Sequence, residues 1–178
     1  METDEELISA INAGDGEAFG ALYLRYRDWV HTLAMRFTGN AAQAADVVQE
    51  TFLYLLRKFP SFELRCSLKT FLYPAVRHIA AAIARQGRKA IAADDILSEL
   101  PAPQSASDPA DRGQLAAVMA GLAPEQRQVV LMRFVDDMTL AEIALALKLP
   151  VNTVKSRLYR GLEVLRDDPR TRRYFLEE

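Results

Sequence analysis

The chain has 178 residues, half of them hydrophobic and 26% charged, with a formal net charge of −2. That length buries one sizeable core or two small ones, and an acid surplus counts against a free-standing DNA binder, which carries excess base. The single cysteine, Cys66, excludes an internal disulfide, and with His31 and His78 far apart it offers no metal constellation.

No apolar run reaches the roughly 18 residues of a membrane span. The first residues, METDEELISA, are acidic where a secretory signal needs cations. The expectation is a protein of the reducing cytoplasm, with no membrane insertion of its own. Charge is unevenly spread: acids gather before Ala18 and between Asp94 and Asp111, bases at Arg85–Lys89 and from Lys155 to Arg173. Two readings stay open, charge segregation without consequence or a DNA contact whose affinity comes mostly from a partner.

In chain order, Thr3 and Glu6 have capping-box spacing and open a short helix that Gly14 closes. Asp15 caps the next, in which Phe19, Leu22, Tyr23, Tyr26, Trp29, Val30, Leu33, Ala34 and Phe37 keep helical spacing until Gly39. Asn40, with Gln43 three residues on, starts a third helix expected to run to Phe59, where Pro60 stops it. Its inner face reads Ala44, Val48, Thr51, Leu55 and Phe59, and opposite lie Asp46, Gln49, Glu50, Leu53 and Arg57. Leu53, with Tyr54 beside it, puts large apolar groups on or next to a polar face, which marks a partner surface or an ordinary exposed leucine.

A loop from Pro60 to about Ser67 leads to a fourth helix, roughly Leu68 to Gln86, ended by Gly87. Pro74 lies inside it and is expected to kink it or delay its start. No segment shows the period-two alternation of a strand. From about Lys89 to Gly113 the pattern dissolves into serines, acids and three prolines (Pro101, Pro103, Pro109), a linker with a residual helical turn at most around Ile96–Leu100. Such a linker spans about 80 Å fully extended and averages roughly 25–30 Å as a coil. Leu115 to Leu122 reads helical, and Pro124 starts another helix that carries Val129, Val130 and Phe134 towards a helical hairpin beginning at Thr139. The tail, DDPRTRRYFLEE, is expected to fray and has no assigned role.

The block from Thr139 to Arg166 reads as two amphipathic helices joined by a short turn. Thr139 and Glu142 form a second capping box, and Leu140, Ile143, Ala144 and Leu147 share a face. Lys148-Leu149-Pro150 makes the turn. In the second helix Val151, Val154, Leu158, Leu162 and Leu165 fall in one apolar arc. Asn152, Ser156, Tyr159 and Arg160 point away from it, flanked by Thr153 and Arg157 on one shoulder and Lys155 on the other. This pattern suits a recognition helix in a DNA major groove, and equally a helical hairpin with a solvated basic face.

Three passages in this order resemble a known family: DVVQETFLYLLRKFPSF (Asp46–Phe62), SLKTFLYPAVRHIAAAIARQGRK (Ser67–Lys89) and LAPEQRQVVLMRFVDDMTLAEIALALKLPVNTVKSRLYRGLEVLR (Leu122–Arg166). The chain resembles bacterial RNA polymerase sigma factors of the extracytoplasmic-function (ECF) group, which carry only the second and fourth conserved regions. The resemblance implies an all-α fold of two small helical domains: region two at 1–88, a flexible linker at 89–112, region four at 113–170 and a tail at 171–178. It implies core RNA polymerase as partner, contacted through Asp46, Gln49, Glu50, Leu53, Tyr54 and Arg57 on the clamp coiled coil of the largest subunit. It implies promoter DNA as ligand. The minus-ten element would be read and melted by Phe62, Arg65, Lys69, Phe71, Arg77, His78 and Arg85, and the minus-thirty-five element read by Asn152, Thr153, Lys155, Ser156, Arg157 and Arg160. It also implies an anti-sigma partner.

Some residues depart from the family pattern. His78 replaces a usual asparagine, Phe71 a tryptophan, Ala82 an aspartate and Glu63-Leu64 an Arg-Gly pair, so an altered minus-ten preference is expected. Lys148 stands where glycine is usual, at a cost of up to ~1 kcal/mol if the backbone needs a positive φ. Asn152 replaces a glycine and adds an amide that can meet a base edge. No nucleophile–base pair, phosphate loop or metal cluster is visible, so neither enzyme activity nor a cofactor is expected. The rival readings are a polymerase-independent helix-turn-helix regulator and a helical adaptor that titrates another regulator.

Overall fold

The structure, a computed structural model, describes residues 2–86 and 117–171 in full and the backbone of 87–90. The described residues are helical, with no strand among them, and fall into two compact units. The first holds α1 (Asp4–Asn12), α2 (Gly16–Thr38), α3 (Ala41–Leu56) and α4 (Leu68–Ala90). The second holds α5 (117–120), α6 (Pro124–Phe134), α7 (Leu140–Leu147) and α8 (Val151–Asp167). The linker turn expected at Ile96–Leu100 lies outside the described residues.

The helix starts follow from their caps. Thr3 and Glu6 exchange side-chain and backbone hydrogen bonds of 3.2 and 2.7 Å. The Asp15 carboxylate accepts from the N–H groups of Glu17 and Ala18, and the Asn40 side-chain oxygen Oδ1 accepts from Gln43 N–H at 3.0 Å. Each bond satisfies an amide that the helix cannot pair internally. At the other ends, Gly14 and Gly39 take φ of 96° and 62°, which only glycine adopts without steric cost.

In the first unit α3 packs against both α2 and α4. Its buried residues are Ala44, Val47, Thr51, Phe52 and Leu55. Val48, expected inside, is half-buried, and Val47 and Phe52 take the inner positions because two neighbouring helices widen the face that must be covered. The helix also stops earlier than expected. Arg57 is its C-cap, and the chain turns at Lys58 and Phe59, since the residue before Pro60 is barred from the helical region. Phe59 thereby leaves the helix and packs against Phe19 and Phe62, at 6.4 and 5.4 Å between ring centroids.

α4 begins at Leu68 under Ser67, whose hydroxyl accepts from Thr70 N–H at 3.3 Å. Pro74 therefore does not delay it. The proline is exposed, and its missing N–H removes only the bond to the Thr70 carbonyl. Gly87 does not end α4 either: the helix continues to Ala90, because a glycine in helical φ/ψ weakens a helix without stopping it. α1 is tied to α2 by an ion pair of 2.6 Å between Arg25 and Asp4 and by the Tyr26 hydroxyl, which donates to Asp4. Burial, then that bond and the Asp4 charge, push the Tyr26 hydroxyl above its ordinary pKa.

In the second unit Val129, Val130 and Met132 of α6 face Ile143, Ala144 and Ala146 of α7 and Val154, Leu158 and Leu165 of α8 within one core. Two expected core residues lie outside it. Phe134, the last residue of α6, is 61% exposed, and burial at that end goes to Met132 and Met138. Val151, on the same arc but at the first position of α8, is 41% exposed. The start of the tail, expected to fray, is held by its own contacts at Asp168, Arg170 and Thr171. The Arg170 guanidinium pairs with Asp168 at 2.7 Å and holds that carboxyl at about 2, while the buried Thr171 hydroxyl donates to the Leu165 carbonyl. The rest of the tail lies outside the described residues.

Candidate nucleic-acid and partner interfaces

On α3 the side chains of Asp46, Gln49, Glu50 and Arg57 are exposed, and Leu53 and Tyr54 are half-buried. Gln49 and Leu53 border a cleft of about 600 Å³ between α2 and α3, whose apolar floor is built by Phe19, Tyr23, Val48, Phe52 and Leu56 and whose rim carries Arg27, Asp28 and His31. The surface thus combines a charged ridge with an open apolar hollow. That combination suits a protein partner presenting both charge and an apolar side chain.

The residues expected to meet the minus-ten element divide into an exposed set and a packed set. Arg65, Arg77, His78 and Arg85 are exposed; Lys69 is half-buried, with its ammonium 6.0 Å from the Trp29 ring centroid. Arg65 lies 3.1 Å from Glu63, so a carboxylate competes with any phosphate for that guanidinium. Phe62 is packed, only 8% exposed, against Phe71 at 4.9 Å and Phe59 at 5.4 Å. Its ring anchors the loop and is not an open wall for a base. Phe71 in turn stacks on Tyr54 at 6.0 Å, and the Lys58 ammonium sits 4.6 Å from the Tyr54 ring centroid. One aromatic cluster therefore joins a residue expected to face polymerase to two expected at the minus-ten element.

In the second unit the turn between α7 and α8 is closed by Lys148 in the left-handed region, φ 55° and ψ 46°, so the conformation that glycine usually supplies is adopted by a lysine. α7 starts on the expected capping box, with Thr139 and Glu142 bonds of 2.8 and 3.3 Å. α8 has no side-chain cap at Pro150 and no acid in its first turn. Its N-terminal amides thus add positive potential beside the cations. Asn152, Lys155, Ser156 and Arg160 are exposed, and Thr153 and Arg157 are half-buried on the shoulder. Tyr159, which the wheel turns outward, is 61% exposed among them. The face carries amide and hydroxyl groups that can meet base edges, and cations that can meet phosphates.

Residues 22–90 match the sigma-70 region 2 family, and residues 112–165 match the sigma-70 region 4 family. The chain belongs to the sigma-70 family, in its extracytoplasmic-function group. It is 26% identical over 178 residues to the ECF RNA polymerase sigma factor SigW of Bacillus subtilis, covering 89% of this chain and 92% of the relative. It is 29% identical over 177 residues to the ECF RNA polymerase sigma-E factor of Salmonella typhimurium, covering 92% of each. Among solved structures, the fold is similar to the sigma factor RpoE of Bartonella quintana, crystallised with the anti-sigma factor NepR, with a TM-score of 0.64, 19% identity and coverage of 90% and 98%. It is also similar to CnrH, solved with the cytosolic domain of CnrY, with a TM-score of 0.67, 19% identity and coverage of 99% and 100%.

Within the ECF frame, two residues were not singled out as functional by sequence. Phe59 was expected inside a helix, and it instead seats Phe62. Asn12, the last residue of α1, reaches the loop before α4 with both ends of its carboxamide. A polar residue at a helix end carries no local sign of a partner fifty positions away. Among the described residues no helix is long and apolar enough to cross a membrane.

Proposed function

We propose that this ECF sigma factor acts in the cytoplasm as a promoter-specificity subunit. It binds core RNA polymerase through region two, melts the minus-ten element there, and docks the minus-thirty-five element through region four. The observation that carries this reading is the occurrence of both sigma regions, in order, on one chain that spans most of the length of its ECF relatives. Region two is assigned to 1–88 and region four to 113–170, joined by 89–112, with 171–178 as a tail.

Three surfaces divide the work. The α3 ridge of Asp46, Gln49, Glu50, Leu53, Tyr54 and Arg57 meets the polymerase clamp. Arg65, Lys69, Arg77 and Arg85 hold the non-template strand by its phosphates, and His78 donates to or accepts from an extruded base, while Phe62 and Phe71 support the loop from within. Extruding a base costs a few kcal/mol, which stacking and hydrogen bonds in a protein pocket return. On α8, Lys155 and Arg157 hold phosphates while Asn152, Ser156 and Arg160 approach base edges, with Thr153 on the shoulder beside them. The reaction catalysed is the polymerase's own, and no covalent step is assigned to this chain. An anti-sigma factor is a further expected partner, supported by the structural neighbour RpoE, which was solved with the anti-sigma factor NepR.

Reconstitution tests the reading. Core polymerase plus this protein is expected to start transcription from a promoter that core alone ignores. Specific DNA binding that neither needs nor recruits polymerase would replace this reading with that of a helix-turn-helix regulator.

A further inference from the structure

We propose that Asn12 is a positioning residue for minus-ten recognition: its carboxamide clasps the backbone of Phe62 and fixes the loop that presents Glu63 and Arg65 to the DNA. The inference rests on the region-two reading above. It goes beyond that reading by giving the N-terminal helix α1, which lies outside the segment matched to region 2, a part in promoter selection.

The geometry is a two-point clasp. The Asn12 Nδ2 donates to the Phe62 carbonyl at 2.9 Å, and the Phe62 N–H donates to the Asn12 Oδ1 at 3.0 Å. An asparagine amide used this way imitates a neighbouring strand, pairing a loop residue that no helix or sheet would otherwise pair. Both bonds are partly shielded from water, which strengthens them.

Two further features fix the same loop. The Phe62 side chain is seated among Phe59 and Phe71, so the clasp holds the backbone while the ring is held from the other side. Ser61, one residue earlier, has φ of 80°, a conformation that non-glycine residues hold only where surroundings over-determine it. With Phe62 fixed at backbone and ring, the exposed Glu63 and Arg65 beyond it leave the loop in a set direction. A loop held rigid before DNA arrives loses less freedom on binding, and a base pocket one ångström out of place loses selectivity.

The base of the clasp is itself braced. α1 is locked to α2 by the Asp4–Arg25 pair and the Tyr26 hydroxyl, and by the burial of Leu7, Ile8 and Ile11. Asn12 therefore transmits the position of a packed helix to a loop that has no regular structure of its own.

The test compares the full-length protein with Asn12→Ala and Asn12→Asp in holoenzyme with core polymerase, by run-off transcription on a library randomised only in the minus-ten element. Asn12→Asp keeps the acceptor for the Phe62 N–H and loses the donor to the Phe62 carbonyl, at unchanged size. The expected result is a re-ranked set of preferred minus-ten sequences, with roughly tenfold less transcription from the parent's best sequence for Asn12→Ala, the scale of losing two hydrogen bonds, and a comparable loss for Asn12→Asp, whose carboxylate opposes the Phe62 carbonyl. Affinity for core and for a minus-thirty-five duplex is expected to stay within about twofold of the parent.

A uniform loss across the library with the parent's ranking preserved would mean a merely structural role and would overturn the inference. So would two variants that match the parent. If the parent protein itself is indifferent to the minus-ten sequence, the region-two reading fails, and the inference fails with it. That outcome shows in the parent lane alone and is separable from the other two.

Discussion

Lys148 holds a conformation that its side chain disfavours. As the C-cap of α7 it sits at φ 55° and ψ 46°, where a Cβ crowds the following carbonyl at a cost of about 1 kcal/mol. The backbone needs that conformation so that Lys148 N–H can reach the Leu145 carbonyl and Leu149 N–H the Ala144 carbonyl, closing the turn into α8. The lysine side chain is exposed and buries little in return. Lys148→Gly is therefore expected to raise stability by about 1 kcal/mol in chemical denaturation of the full chain, less the entropy glycine adds to the unfolded state. Lys148→Ala keeps the Cβ and should give no gain. A glycine variant no more stable than the parent would show that the long side chain contributes enough to offset the backbone cost.

Between elements, α8 comes close to α6 at Gly161, which is buried there. A Cβ built there meets Val130 Cγ2 at 3.0 Å and Gln126 Cβ at 3.5 Å. Helix propensity alone favours alanine over glycine by about 1 kcal/mol. Overpacking a well-filled core costs typically 1–3 kcal/mol, and Val130 is itself only 5% exposed and has little room to retreat. The clash wins, so Gly161→Ala is expected to destabilise by roughly 1 kcal/mol. Combining it with Val130→Ala should cost less than the two separate losses added together, which thermal or urea unfolding of the four proteins measures. Strict additivity would mean that the two helices move apart without strain.

The same packing logic explains what was legible in the sequence at this scale. Helix starts were legible because Thr3, Asp15, Asn40 and Thr139 cap amides two or three residues away. Inner faces and helix ends were less so. Val47 displaced Val48, Phe59 left α3 and Phe134 stayed outside the core, each decided by a neighbouring element and not by local spacing. Of the candidate site, the outward face of α8 could be read from its own period. The burial of Phe62, the stacking of Tyr54 on Phe71 and the Asn12 clasp could not, since each joins residues that only the fold brings together.

At the scale of the whole molecule, a net charge of −2 leaves the protein with little long-range attraction for DNA, although α8 carries an exposed basic face. Promoter affinity in the proposed function then comes from linkage: polymerase bound through α3 and DNA bound through α8 each raise the effective concentration of the other. Single changes at the two surfaces should separate cleanly. Arg157→Ala removes about one phosphate contact from α8, so the slope of log affinity against log salt for minus-thirty-five DNA should fall by about 1, with polymerase affinity unchanged. Glu50→Lys reverses an exposed charge on α3 and should weaken core binding several-fold, chiefly through the association rate, with binding of a bare minus-thirty-five duplex unchanged. Run-off transcription should fall in both variants. Raising the polymerase concentration should restore it chiefly in Glu50→Lys, and lowering the salt chiefly in Arg157→Ala. If Arg157→Ala leaves the salt slope untouched, α8 is not the DNA-facing helix. If Glu50→Lys binds core as the parent does, the polymerase contact lies elsewhere on region two, with the apolar cleft beside Leu53 the next place to test.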